Sequence, residues 1–234
     1  MRLVYALGLA LSMAVAVTAC ADRPTSEPAP PAVAVKPAAS PAVSPTSQAR
    51  RIVCLGDSLT AGLGLSSNEA YPAQLAAQLR AAGLDFEVVN AGVSGDTSAG
   101  GLRRLEWSMT GDVQVLVVAL GANDGLRGLP PKDLRANLAQ IIEKAQARQV
   151  RVVLAGMEAP PNFGEAYTRD FRAVYRDLAT TYDVTLIPFF LDGVAGVPAL
   201  NQPDGIHPTA EGQRLVAATI WRAVAPLVGA RASS

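Results

Sequence analysis

Five short apolar runs punctuate the chain from residue 50 onward. Each is followed by a glycine-rich turn and then by a stretch whose apolar residues recur at helical spacing. The runs are "RIVCLG" (51–56), "FEVVNAG" (86–92), "VQVLVVALG" (113–121), "VRVVLAG" (150–156) and "VTLIPF" (184–189). Val, Ile and Leu follow one another in them with little polar alternation, which is the pattern of strands buried on both faces. Between the runs, amphipathic stretches predict helices over 70–82, 99–109, 131–148 and 165–182, and a last one over 209–228. Strand and helix therefore alternate. That order predicts an α/β fold in which a five-stranded parallel sheet lies between two helical layers, a flavodoxin-like α/β/α sandwich. No internal repeat interrupts it. In such a sheet ligands bind beyond the carboxyl ends of the strands, so the segments that follow the runs are the ones to inspect.

The pattern changes at both ends. Residues 1–20 open with one positive charge, continue as an almost wholly apolar run and finish in small residues before Cys20. This is a secretory signal pattern, too short and too weakly flanked for a comfortable membrane span. Its last residues, "VTAC", resemble the lipobox of bacterial lipoproteins, which implies lipidation of Cys20. Plain cleavage near Ala19 with soluble export is the alternative. Residues 21–49 are rich in Pro, Ala, Ser and Val and lack aromatic residues. Such a segment buries too little apolar surface to fold and reads as a semi-rigid spacer. The folded domain then spans 50–230, and 231–234 form a tail. The expected location is that of an exported lipoprotein anchored in the outer membrane and facing the periplasm, with a soluble periplasmic protein as the alternative.

Charge narrows the partners. Twenty basic and twenty acidic residues give a net charge of zero, which argues against nucleic acid or another polyanion as ligand. Cys54 lies inside the first apolar run, where a free thiol behaves as a small hydrophobe. No disulfide, metal or cofactor is expected, since the chain holds one histidine and no cluster of thiols or carboxylates.

That single histidine, His207, sits in "QPDGIHPTAEG", three residues after Asp204. A tight turn can bring the Asp carboxylate to one imidazole nitrogen, fixing the tautomer. A surface turn in which Asp204 caps the next helix is the plainer alternative. "GANDG" (121–125) follows the most apolar run, and the Asn123 amide there can donate to a developing oxyanion or merely form a turn. "AGVSGDTS" (91–98) offers Gly95, whose backbone can approach a ligand, or a helix cap at Asp96 or Thr97. "GDSLT" (56–60) places Ser58 at the end of the first run, where it is either a cap or a nucleophile. Each segment alone is ambiguous. Gathered at one end of a sheet, they supply a nucleophile, a base, its orienting carboxylate and oxyanion donors, the set required for acyl transfer.

"GDSL", the Gly of "SGDTS", "GAND" and "DGIHP" resemble, in order, the four blocks of the SGNH (GDSL-type) hydrolase family. The resemblance runs from about residue 51 to 227. "GVSGDTSAGGLRRL", "GANDGLRGLPP", "PPNFGEAYTRDF" and "LIPFFL" bring it closest to the bacterial acyl-CoA thioesterase, lysophospholipase and arylesterase branch. It implies the SGNH hydrolase fold with a Ser58, Asp204 and His207 triad. It also implies an oxyanion hole built from the Ser58 and Gly95 N–H groups and the Asn123 side chain. Substrates would be acyl esters, thioesters or lysophospholipids, cleaved through an acyl-enzyme. Asp57 and Asp124 are expected to hold turns. Leu126, Met157, Pro160, Pro161 and Phe163 could line an acyl groove or simply pack the strand-end loops. A carbohydrate O-deacetylase on the same scaffold and a non-catalytic lipoprotein adaptor remain the alternatives.

Overall fold

The computed structural model describes residues 49–230. The expected leader with Cys20, all of the spacer but Ala49, and the tail lie outside the described residues. The domain runs β1 (Arg50–Gly56), α1 (Ser58–Ala61), α2 (Tyr71–Ala81), β2 (Glu87–Gly92), α3 (Ser98–Ser108), β3 (Asp112–Ala119) and α4 (Ala122–Leu126). It continues with α5 (Pro131–Ala147), β4 (Arg151–Ala155), α6 (Glu165–Tyr182), β5 (Thr185–Ile187) and α7 (Ala210–Val224). The five strands pair in parallel in the order β2-β1-β3-β4-β5. Helices α2 and α7 pack together, and α5 packs against both α3 and α6, which forms the two outer layers.

The three central strands behave as the apolar runs dictate. Ile52 to Leu55, Val115 to Val118 and Val152 to Leu154 are almost wholly buried, and their burial on both faces supplies most of the hydrophobic driving force. The edges differ. β2 buries only Ala91 fully, and β5 is cut to three residues because Pro188 cannot donate to the ladder. The last helix also stops short of the expected 228. Pro226 stands just past Val224, and the chain tightens into a 3-10 turn over Ala225–Val228.

Strand order fixes where a ligand can sit. The chain leaves β1 toward β2 on one side and returns to β3 on the other, so a crevice opens between the carboxyl ends of β1 and β3. The backbone there is tightly set. Gly121 has φ +118°, and a Cβ at that position would fall 1.9 Å from the Tyr175 hydroxyl oxygen. That hydroxyl donates to the Leu120 carbonyl at 3.0 Å, pinning the end of the β3 run to α6.

Candidate active site

The turn after β1 presents Ser58. Asp57 caps α1, its carboxylate accepting from the Leu59 N–H at 3.0 Å, which leaves Ser58 at the first helical position with its side chain toward the crevice. From the far end of the chain comes the segment before α7. Gln202 N–H donates to the His207 carbonyl at 2.7 Å, Thr209 N–H donates to the Leu200 carbonyl at 2.9 Å, and Asn201 bridges to Pro208, so the loop is closed on itself. Within it Asp204 Oδ1 accepts from the N–H groups of Ile206 and His207, both at 3.0 Å.

These two segments meet. His207 Nδ1 lies 2.7 Å from Asp204 Oδ2, and His207 Nε2 lies 2.9 Å from Ser58 Oγ. The direction of the protons follows from Asp204. Its carboxyl is held down at about 2, first by the His207 N–H, then by the imidazole and the Ile206 N–H. At neutral pH it is therefore an acceptor only. Nδ1 must carry the imidazole proton, and Nε2 is left to accept from the Ser58 hydroxyl. The arrangement can take a proton from Ser58 and stabilise the imidazolium that results.

Around Ser58 stand two further groups. Gly95, at φ +84°, lies in the turn after β2, and neither its N–H nor that of Ser58 donates to another protein group among the described residues. Asn123 is the second residue of α4, and its Nδ2 donates to the Asp96 carbonyl at 3.0 Å and toward Asp57 Oδ2 at 3.4 Å. The second contact is at the long limit for such a bond, so that proton is only weakly engaged and can serve a ligand in the cleft. Ser58, Gly95, Asn123 and His207 all line one cleft of about 460 Å³, a volume suited to a small apolar ligand. Leu126, Met157 and Pro160 line it too. Pro161 and Phe163 do not: they belong to an exposed 3-10 turn, and the Phe163 ring packs on Tyr167 at 5.2 Å instead. Leu63, Phe189, Leu191, Ala195 and Ile206 take their place in the lining.

Three positioning groups escaped the sequence reading. Asp124 forms no turn contact with its own loop through its carboxylate. Buried at 2% exposure, it accepts from the Ser98 N–H at 2.8 Å and the Ser98 hydroxyl at 2.6 Å, and Asn137 donates to the same hydroxyl. The short helix that carries Asn123 is thereby clamped to α3 and α5. Arg104 donates to the Gly56 and Ala91 carbonyls, both at 2.7 Å, and to Asp96 at 2.6 Å, gathering the ends of β1 and β2 beside Gly95. Gln213, on α7, accepts from the Tyr71 N–H at 2.8 Å and donates to the Leu59 carbonyl at 3.0 Å, tying the helix after His207 to the turn that carries Ser58. Sequence holds no signal for these, since most of their partners are backbone groups or residues far along the chain.

Asp57 and Cys54 are two of the buried titratable groups beside the site. Burial pushes the Cys54 thiol up to about 12, so it is neutral and inert. Burial also pushes the Asp57 carboxyl up to about 6, against the pull of the Leu59 N–H and the Asn123 amide. The folded state therefore favours the protonated form. Its contribution to stability is fully present below the ordinary value of 3.8 and is lost as pH rises through about 6. The Asp204 contribution has the opposite sign and lies lower, lost as pH falls from 3.8 toward 2. Replacing Asp57 by Asn should therefore flatten the fall in stability between pH 4 and 6.5. The wild-type protein should lose up to about 3 kcal/mol more than Asp57→Asn across that window, read from urea unfolding at each pH. Parallel curves for the two proteins would show that the carboxyl ionises normally.

Comparison with known proteins bears on this arrangement. Residues 54–215 match the GDSL-like Lipase/Acylhydrolase family. Esterase TesA of Pseudomonas aeruginosa is 43% identical over 181 residues, covering 77% of this chain and 90% of that protein. The Escherichia coli (strain K12) protein called thioesterase 1/protease 1/lysophospholipase L1 is 38% identical over 178 residues, covering 76% of this chain and 84% of the relative. Among crystal structures, the psychrotrophic esterase EstA from Pseudoalteromonas sp., inhibited by monoethylphosphonate, superposes with a TM-score of 0.72 at 32% identity. That match covers 76% of this chain and 98% of the other.

Proposed function

The chain belongs to the GDSL-like lipase/acylhydrolase family, and we propose that it hydrolyses carboxylic esters and thioesters of acyl chains through an acyl-enzyme on Ser58. One observation carries the reading: the line from Ser58 Oγ through the His207 imidazole to Asp204 opens onto an apolar cleft. Ser58 Oγ attacks the substrate carbonyl carbon while His207 Nε2 takes the hydroxyl proton. Asp204 stabilises the imidazolium. The oxyanion is held by the Ser58 and Gly95 N–H groups and the Asn123 amide. The alcohol or thiol leaves with the proton from Nε2, and water deprotonated at the same nitrogen cleaves the acyl-Ser58 ester. The relatives named esterase and thioesterase/lysophospholipase support this substrate class.

The cleft favours chains longer than acetyl, because Leu126, Met157, Phe189 and Leu191 give apolar lining beyond the reacting centre, and each buried methylene contributes about 0.8 kcal/mol. Lipid esters and lysophospholipids suit an exported, membrane-anchored protein better than acyl-CoA, and the "VTAC" ending at Cys20 supports that location. A p-nitrophenyl ester series should show kcat/KM rising at least tenfold from acetyl to octanoyl, with a monoethylphosphonate adduct found on the Ser58 peptide by mass spectrometry. A maximum at acetyl would favour an O-deacetylase, and an adduct elsewhere would remove Ser58 from the reaction.

A further inference from the structure

Among the described residues, eight large apolar side chains stand conspicuously exposed. Two of them, Trp107 and Leu215, lie on helices away from the crevice. The other six are Leu63, Val93, Leu126, Phe163, Val197 and Ile206, each between 38% and 48% exposed. All six lie in segments that follow the carboxyl end of a strand. Leu63, Leu126 and Ile206 line the cleft. Phe163 lies against Gly128, two residues past Leu126. Val93 N–H donates to the Gly56 carbonyl at 3.0 Å, at the end of the strand before Ser58, and Val197 shares a hollow with Gly205. Single exposed apolar residues are ordinary, but six gathered around the mouth of an apolar cleft mark an interaction surface.

We propose that this mouth is a lipid-docking rim: the domain rests mouth-down on a phospholipid surface, with the six side chains in the interfacial layer, and draws its acyl substrate straight from it. The proposal rests on the ester-hydrolase reading and on the tether read from the sequence. Continuity is the first argument. The rim joins the bilayer to the cleft, so an acyl chain moving between them never exposes its methylenes to water at about 0.8 kcal/mol each. Charge is the second. Arg127, next to Leu126, is exposed and donates to the Gly95 carbonyl without an acidic partner among the described residues, whereas Glu158 is paired with Arg172 and Asp204 with His207. A guanidinium left this way suits lipid phosphate. The third argument is reach. Residues 21–49 enter the domain at the start of β1, the end of the sheet opposite the mouth. A Pro-rich chain of that length spans up to about 90 Å, against about 40 Å for the diameter of a compact domain this size. A tether at Cys20 therefore allows the mouth to turn to the membrane that holds it.

The test uses the full chain on phosphatidylcholine/phosphatidylglycerol vesicles. In Phe163→Trp, brominated phosphatidylcholine should quench the introduced fluorophore beyond the quenching seen in the wild-type protein, because tethering alone does not bring that turn to acyl depth. Val93→Asp/Val197→Asp, which changes two side chains outside the cleft lining, should lower turnover of vesicle-borne lysophosphatidylcholine about tenfold and leave p-nitrophenyl butyrate within about twofold. Absent quenching, or equal turnover of vesicle-borne substrate by the two proteins, overturns the docking rim. So does a self-associating wild type whose dimer dissociates in the double variant, which would assign the surface to a second copy of the chain. Failure of the ester-hydrolase reading is separately visible, as absence of p-nitrophenyl butyrate turnover in a protein whose introduced tryptophan is still quenched.

Discussion

Ser58→Ala should lower kcat/KM for p-nitrophenyl butyrate by four to six orders of magnitude, roughly 5–8 kcal/mol of transition-state stabilisation. The size follows from the proposed roles, in which Ser58 is the one nucleophile and His207 the one base. His207 is the only histidine of the chain, so no other imidazole can take over, and Cys54, the nearest thiol in sequence, is buried and neutral. His207→Ala should cost about as much, and the double variant no more than either single one, because a nucleophile without its base and a base without its nucleophile are equally idle. Stability should hardly move in Ser58→Ala. Among the described residues the hydroxyl bonds only to His207 Nε2, Asp57 still caps α1, and Ala is a good helix residue. Melting temperatures and single-turnover rates of the three variants check both halves. Activity above about 1% of wild type in Ser58→Ala would sink the assignment.

What sequence could show of this site was its location, and what it could not show was its scaffolding. Continuous apolar runs identify β1, β3 and β4 because both faces of a central parallel strand are buried, and the alternating order of elements then puts "GDSLT", "SGDTS", "GANDG" and "DGIHP" at one end of the sheet. The edges were less legible. β2 is half solvated, β5 ends where Pro188 begins, and α4 is five residues long with turn formers Asn, Asp and Gly inside it. No periodicity can reveal a helix of a single turn. Asp124 looked like one more turn residue, yet its partner is Ser98, twenty-six positions back. Phe163 looked like cleft lining for its apolar character, but the 3-10 turn over Pro161–Phe163 swings it outward onto Tyr167. Character and spacing carry local structure. Side-chain direction at the end of a loop depends on contacts that sequence does not order.

The second large effect expected is at Asn123. Asn123→Ala should lower kcat by about 10²–10³-fold, 2.7–4 kcal/mol, with KM changed little. The split between the two constants is the informative part. A donor aimed at charge that appears only in the transition state does nothing for the bound ester, so its loss falls on kcat. A packing role would behave differently, lowering the melting temperature and raising KM together. Asn123 is poised for the first role because its neighbours already hold it. Asp124 is clamped to Ser98, and one Nδ2 proton is spent on the Asp96 carbonyl, which leaves the other between Asp57 and the cleft. Asn123→Asp should be worse than the alanine variant. It would set a second carboxyl beside the buried carboxyl of Asp57, and an acidic pair at that distance must share a proton, so the site would meet a developing oxyanion with negative charge in place of a donor. Steady-state kinetics of both variants on p-nitrophenyl butyrate, beside their unfolding curves, decide the matter: an alanine variant with wild-type kcat would exclude Asn123 from the oxyanion site and leave the two backbone N–H groups to hold it alone.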